Sequence, residues 1–192
     1  MKTKNQLFDE RRTAEAAAYM LFRAGGKLPH IKLMKLLYLA ERLSLQRYGE
    51  PLTGDKAVAM PLGPVLSMTL ELINGTRPSC PGGWEDWISD RANHMVELAD
   101  PSMIRTTDDL VHLSDADLEV LQETWGRFGH MEKFALVNYT HEHLPEWQDP
   151  EGSSIPIPYI RIFTGIGMDD ETAERLAARL EAQQNIAASF AT

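Results

Sequence analysis

Residues 30–48 read HIKLMKLLYLAERLSLQRY and place apolar side chains around most of the circumference of a helix. Pro29 precedes this stretch, and Gly49 and Pro51 follow it, so the sequence marks both ends of the helix. A helix with so few polar positions usually lies at the centre of a core. The pattern therefore predicts a mainly helical fold built around this segment.

Apolar spacing predicts further helices on both sides of the central one. They cover residues 13–24, 65–74, 114–128 and 131–143, with a short helix or turn at 84–87 and a C-terminal helix from Asp169 or Asp170. Pro64 suits the first turn of the helix at 65–74. Ser114 stands where an N-cap is expected, with Asp117 three residues later as its capping-box partner.

Two short apolar runs interrupt this helical pattern. Residues 94–98 alternate between two faces, and residues 110–113 form a second run, so the two predict a small antiparallel hairpin. We therefore expect an α+β fold: a mainly α-helical single domain of about six helices with one small antiparallel hairpin.

Length and composition are those of an ordinary globular protein. The 192 residues, 43% of them hydrophobic, are enough to bury a core without disulfides or metal. Cys80 is the only cysteine, so the chain has no internal disulfide, and a reducing compartment is expected. The N-terminal segment carries charges where a signal peptide needs an apolar run, and no segment is apolar enough to span a bilayer. These features predict a cytoplasmic protein without membrane contact.

The chain is acidic, with 28 acidic against 19 basic residues and a formal net charge of -9. Such a charge repels phosphate backbones and favours basic protein partners, although it also serves solubility alone. The central helix contains the basic residues Lys32, Lys35, Arg42 and Arg47. Most of them are expected to lie at the solvent-exposed edge of the helix. A nucleic-acid-binding regulator is thus kept only as a minor alternative.

No pattern in the sequence indicates catalysis or a bound metal. The densest cluster of histidines and acids comprises residues 141–143 (His-Glu-His) with His130 and Glu146. His141 and His143 lie two apart on a predicted helix and point to different faces, unlike a zinc-binding i, i+4 pair. Residues 25–27 (Gly-Gly-Lys) lack the remainder of a phosphate loop. We expect no enzyme, no cofactor and no metal, with an unfamiliar active site as an alternative.

Several short motifs occur in a particular order along the chain. They are KLMKLLYLA at 32–40, YGEPL at 48–52, PLGPV at 61–65, YTHE at 139–142, LPEWQDP at 144–150 and SSIPI at 153–157. In this order they resemble the Panacea domain of SocA-like antitoxins, a family that also includes phage-associated GepA-like proteins. The resemblance covers about residues 13–167. It implies a Panacea domain at 1–167, followed by a C-terminal helix at 168–192.

The resemblance implies an antitoxin that neutralises a toxin encoded beside it through direct protein contact. Some relatives are described as adaptors that deliver the toxin to a protease, so an adaptor is the alternative. The implied partner is a cognate toxin, which the acidic surface predicts to be basic. A protease as a second partner and a homo-oligomer both stay open.

Six residues are candidates for partner binding. The polar ends of Lys35, Tyr38, His141 and Glu146 lie within the motifs and could either meet a partner or form internal hydrogen bonds. Leu176 and Leu180, with Ala177 and Ala187, form a thin apolar stripe on the C-terminal helix, which docks on its own domain or on another chain.

Overall fold

The computed structural model describes residues 7–89 and 92–189, and the side chains of residues 92 and 187–189 lie outside this description. The described chain is a mainly helical α+β body with two small three-stranded antiparallel sheets. The fold class predicted from the sequence is thereby confirmed. In the described ranges, no helix is long and apolar enough to cross a membrane.

Helices and short strands alternate along the chain without a repeating pattern. The helices are α1 (Glu10–Arg23), α2 (His30–Tyr48), α3 (Ser67–Ile73), α4 (Trp84–Trp87), α5 (Asp115–Phe128), α6 (Lys133–His143), α7 (Tyr159–Gly165) and α8 (Asp170–Ser189). The strands are β1 (Lys27–Pro29), β2 (Ala57–Met60), β3 (Gly63–Leu66), β4 (Ile88–Ser89), β5 (Met95–Leu98) and β6 (Ile155–Pro156). Short 3-10 helices lie at Ala92–His94, Pro101–Met103 and Thr107–Asp109.

Helix α2 is the centre of the core, as its sequence predicts. Leu33, Leu36 and Leu37 are fully buried, and the helix packs against α1, α5, α6 and β3. Gly49 ends α2 in the left-handed conformation, at φ 64°, and its N–H donates to the Leu45 carbonyl. A residue with a Cβ would be strained at this position, which is the reason for glycine there.

Helix α5 begins where its capping residues indicate. The Ser114 hydroxyl accepts from the Asp117 N–H, and the Asp117 carboxylate accepts from the Ser114 N–H. This reciprocal pair satisfies two N–H groups that the first turn leaves unpaired. The prediction of Ser114 as N-cap is confirmed.

One sheet has the strand order β3-β2-β6, with β2 and β3 joined by a tight turn. Pro64 pairs with Ala59 inside β3, and α3 begins only at Ser67, so the placement of Pro64 in the first turn of a helix was wrong. Strand β3 is an edge strand, where the missing N–H of proline is tolerated. Locally, such a proline cannot be distinguished from one at a helix start.

The other sheet corrects the predicted hairpin. Residues 95–98 do form a strand, but β5 pairs with β1 and β4 rather than with residues 110–113. The latter run forms a turn before α5, in which Leu110 and Leu113 are buried and Val111 is 76% exposed. The apolar residues of this run therefore pack into the core although they lie in a loop. A short apolar run of this kind has the same sequence pattern as a strand.

The C-terminal helix α8 packs on α7, a short helix that the sequence did not predict. Leu180 is fully buried, and Arg179 donates to the Gly49 carbonyl at 2.7 Å and pairs with Glu50 at 2.8 Å. The side chain of Ala187 lies outside the described part of the chain, as do residues 1–6 and 190–192 of the two expected domains. The division at 167/168 stays a prediction.

Candidate partner-binding site

A buried carboxylate ties three segments of the chain together. Glu146, which follows α6, is 1% exposed, and its Oε1 accepts from Tyr38 Oη at 3.1 Å and from Arg42 Nε at 2.7 Å. Arg42 also donates to the Gly165 carbonyl at the end of α7, at 2.9 Å. Burial and the nearby charge of Glu146 raise the pKa of Tyr38. The network therefore holds the LPEWQDP segment on the central helix.

Lys35 is a second buried polar residue on α2, at 1% exposure. Its Nζ donates to the Pro64 carbonyl of β3 at 2.7 Å. A Cβ added at Gly63 would lie 3.0 Å from that nitrogen and still closer to the Thr140 hydroxyl. Only glycine leaves room for this approach of β3 to α2 and α6. Burial lowers the pKa of Lys35 to about 7.

His141 lies beside this lysine and is covered by a tryptophan. Its ring stacks on Trp147 with centroids 3.9 Å apart, and Trp147 Nε1 donates to the Met60 carbonyl at 3.0 Å. Burial, with a smaller contribution from the charge of Lys35, lowers the pKa of His141. His143 instead stacks on Tyr139, on another side of α6. Within the described residues, no group of three or more potential ligands could hold a metal ion.

An apolar pocket of about 330 Å³ opens between the start of α2, the β2–β3 turn and α3. Its wall comprises His30, Ile31, Met34, Lys35, Met60, Pro61, Leu62, Gly63, Val65 and Leu70. Leu62 forms part of the rim and is 48% exposed. Lys35 belongs to this wall and also lies beside His141, so the pocket adjoins two of the residues that the motifs single out.

The structure does not assemble the six candidate residues into one surface. Tyr38 and Glu146 bond to each other inside the body, and Lys35 and His141 interact electrostatically near the pocket. Leu176 and Leu180 lie on α8. Since Leu180 is fully buried against its own chain, α8 would have to leave the body before that side chain could meet a partner. Partner binding by these six residues stays a prediction.

Arg42 is the functional-looking residue that the sequence reasoning missed, because it was assigned to the solvated edge of the helix. Lys35, Tyr38 and Arg42 follow each other at intervals of three and four, which places them on one face of α2. That spacing was the available signal. The residue that pairs with Arg42 lies 104 positions away, beyond the reach of local patterns.

Two further buried acids brace the backbone near β2. Glu41 Oε2 accepts from the N–H and the hydroxyl of Thr53, at 2.7 and 2.9 Å. Asp55 accepts from the Met68 and Thr69 N–H groups and thereby caps the start of α3. Burial raises the pKa of Glu41 to about 7, and it also raises that of Asp55. These acids are structural: they attach the loop after α2 to the next helix.

The fold and these contacts define a small α+β domain with an apolar pocket. The polar residues of its motifs mostly form hydrogen bonds within the domain, and some of them lie beside the pocket. The family described as antitoxin SocA-like, Panacea domain, matches residues 33–148, which is more than half of the chain. The protein therefore belongs to the SocA-like antitoxin, Panacea-domain family. No curated protein and no solved structure matches the chain.

The family match extends from the first turns of α2 to Gln148. It includes Lys35, Tyr38, His141 and Glu146, and it leaves out α1, α7 and α8, which nevertheless pack on the same core. Membership of an antitoxin family implies a cognate toxin as partner.

Proposed function

We propose that this protein is a cytoplasmic antitoxin that neutralises its cognate toxin by direct protein–protein binding, without catalysis. The pocket beside Lys35 and its rim are the proposed contact surface. Membership of the antitoxin family supports a toxin partner, and the net charge of -9 favours a basic one.

One observation supports the location of the contact surface. Six of the ten residues that line the pocket belong to two motif segments, 32–40 and 61–65, which the fold brings together across α2 and the β2–β3 turn. The other motif residues mostly serve internal hydrogen bonds, whereas the pocket leaves apolar side chains open to solvent. An apolar depression with an exposed apolar rim is the kind of surface that anchors a partner side chain.

Coexpression with the neighbouring reading frame tests this proposal. We expect the wild-type chain to restore growth and to copurify with the toxin, and Leu62→Asp to abolish both. Val111→Asp is the matched control, because Val111 is an exposed apolar residue outside the pocket, at 76% exposure. Equal rescue by the Leu62 and Val111 variants would show that the pocket rim is not the contact surface.

The same system separates a simple binder from a protease adaptor. A binder restores growth in host strains that lack individual ATP-dependent proteases, and the toxin level stays constant. If rescue and toxin loss both require one protease, the protein acts as an adaptor. A wild-type chain that neither rescues growth nor copurifies with the toxin would contradict the proposed function itself.

A further inference from the structure

Lys35 is a buried lysine for which the described residues supply no counter-ion. Its amine makes one hydrogen bond, to the Pro64 carbonyl, although an ammonium group carries three N–H donors. None of the ion pairs in the described ranges includes Lys35. A buried ammonium group without a counter-ion is costly, so an anion that reaches Lys35 stabilises the protonated form of its amine and pairs with it.

The buried acids of the described chain are already engaged elsewhere. They bond to partners of their own: Glu15 to His112, Glu41 to Thr53, Asp55 to Thr69, Asp117 to Ser114, and Glu146 to Tyr38 and Arg42. None of the buried acids among the described residues is thus the counter-ion of Lys35, and a carboxylate from a partner can take that place.

The pocket offers the route by which that carboxylate can arrive. Lys35 is part of its wall, and apolar residues such as Met34, Leu62 and Val65 form most of the rest. The first turn of α2 lines the same space, and its N-cap residue, Pro29, makes no side-chain hydrogen bond to the start of the helix. The positive end of the helix dipole adds to the attraction for an anion.

We infer that this pocket receives the C-terminal residue of the toxin, with its apolar side chain in the pocket and its carboxylate on the amine of Lys35. The inference rests on the proposed function, since it names the part of the toxin that the contact surface holds. A terminal residue carries its carboxylate and its side chain on the same Cα, so one small pocket can bind both.

The size of the pocket favours this occupant over the face of a partner helix. Its volume of about 330 Å³ is close to the lower limit of ligand pockets, which span about 300–1,000 Å³. An internal Asp or Glu would bring chain on both sides across the rim and would leave the apolar wall largely unfilled. Capture of a C-terminal carboxylate is an established mode of peptide recognition.

Short peptides test the chemistry on the full-length protein by NMR titration. The probes are acetyl-Ala-Leu-Phe with a free carboxylate, the same peptide with a C-terminal amide, and acetyl-Leu-Glu-Phe amide, which carries an internal carboxylate. We expect the free acid to bind about tenfold or more tightly than either amide, as a charge-assisted hydrogen bond predicts.

Lys35→Met should abolish the preference for the free acid, whereas Lys32→Met should keep it, because Lys32 bonds to the Gly129 carbonyl. Equal binding of acid and amide to the wild-type chain would overturn the inference, even if the Lys35 variant failed to fold. Tighter binding of the internal glutamate peptide would overturn the assignment to a terminus. Octanoate that bound as tightly as the peptide acid would point to a small-molecule carboxylate instead.

The toxin itself provides the last step. A Gly-Ser-Gly-Ser extension at its C-terminus should keep toxicity and abolish rescue by the antitoxin, because the terminal carboxylate no longer lies beside the anchoring side chain. Rescue that requires Leu62 but tolerates the extension would overturn this inference and leave the proposed function standing. Peptide binding without rescue would contradict the proposed function while the chemistry of the pocket held.

Discussion

The burial of Lys35 should make the stability of the protein depend on pH in a way that replacing this lysine removes. Its pKa falls from the ordinary 10.5 to about 7 in the folded chain. Between these values the unfolded chain binds more protons than the folded one, so the free energy of unfolding rises with pH. The rise is about 1.4 kcal/mol per pH unit, or about 2.5 kcal/mol from about pH 7.5 to about pH 9.5.

Urea unfolding followed by circular dichroism measures this effect in the wild type and in Lys35→Met. Other titrating groups are common to both proteins, so their contributions cancel in the difference. Over this range the free energy of unfolding of the wild type should rise by about 2.5 kcal/mol relative to that of the variant. Below pH 7 the buried lysine is protonated, so its destabilising effect should be fully present there. A Lys35→Met curve that is parallel to that of the wild type would refute the reasoning.

Three other substitutions, each at a different buried contact, are tested by urea unfolding. Arg42→Met leaves the carboxylate of Glu146 buried without its cation, so the free energy of unfolding should fall by about 3–5 kcal/mol; no change would mean that the pair is not formed. Gly63→Ala, at φ 91° and against neighbouring side chains, should cost about 3 kcal/mol, against about 1 kcal/mol for Gly75→Ala, which has open space. Glu41 has its pKa raised to about 7, so the wild type should lose about 3 kcal/mol relative to Glu41→Gln as the pH rises from about 4.5 to about 7; parallel curves would contradict this.

Local signals determined the helices well. The stretch 30–48, Gly49 and the Ser114 capping box each act within a few residues, and the structure has them as the sequence predicts. The strands were harder, because β1 and β5 pair over about seventy positions and β4 and β6 are two residues long. A two-residue strand has no period to detect, and a partner so distant leaves no mark in a local window.

The sequence by itself determined the fold class, the central helix and the family resemblance, since these depend on periodicity, end signals and the order of motifs. Only the tertiary structure decided the partners of the polar residues on α2. Spacing places Lys35, Tyr38 and Arg42 on one face, but Glu146 reaches that face from 104 positions beyond Arg42. That none of the described carboxylates pairs with Lys35 is likewise a property of the packed chain, because charge pairing in a core depends on distances that only folding creates.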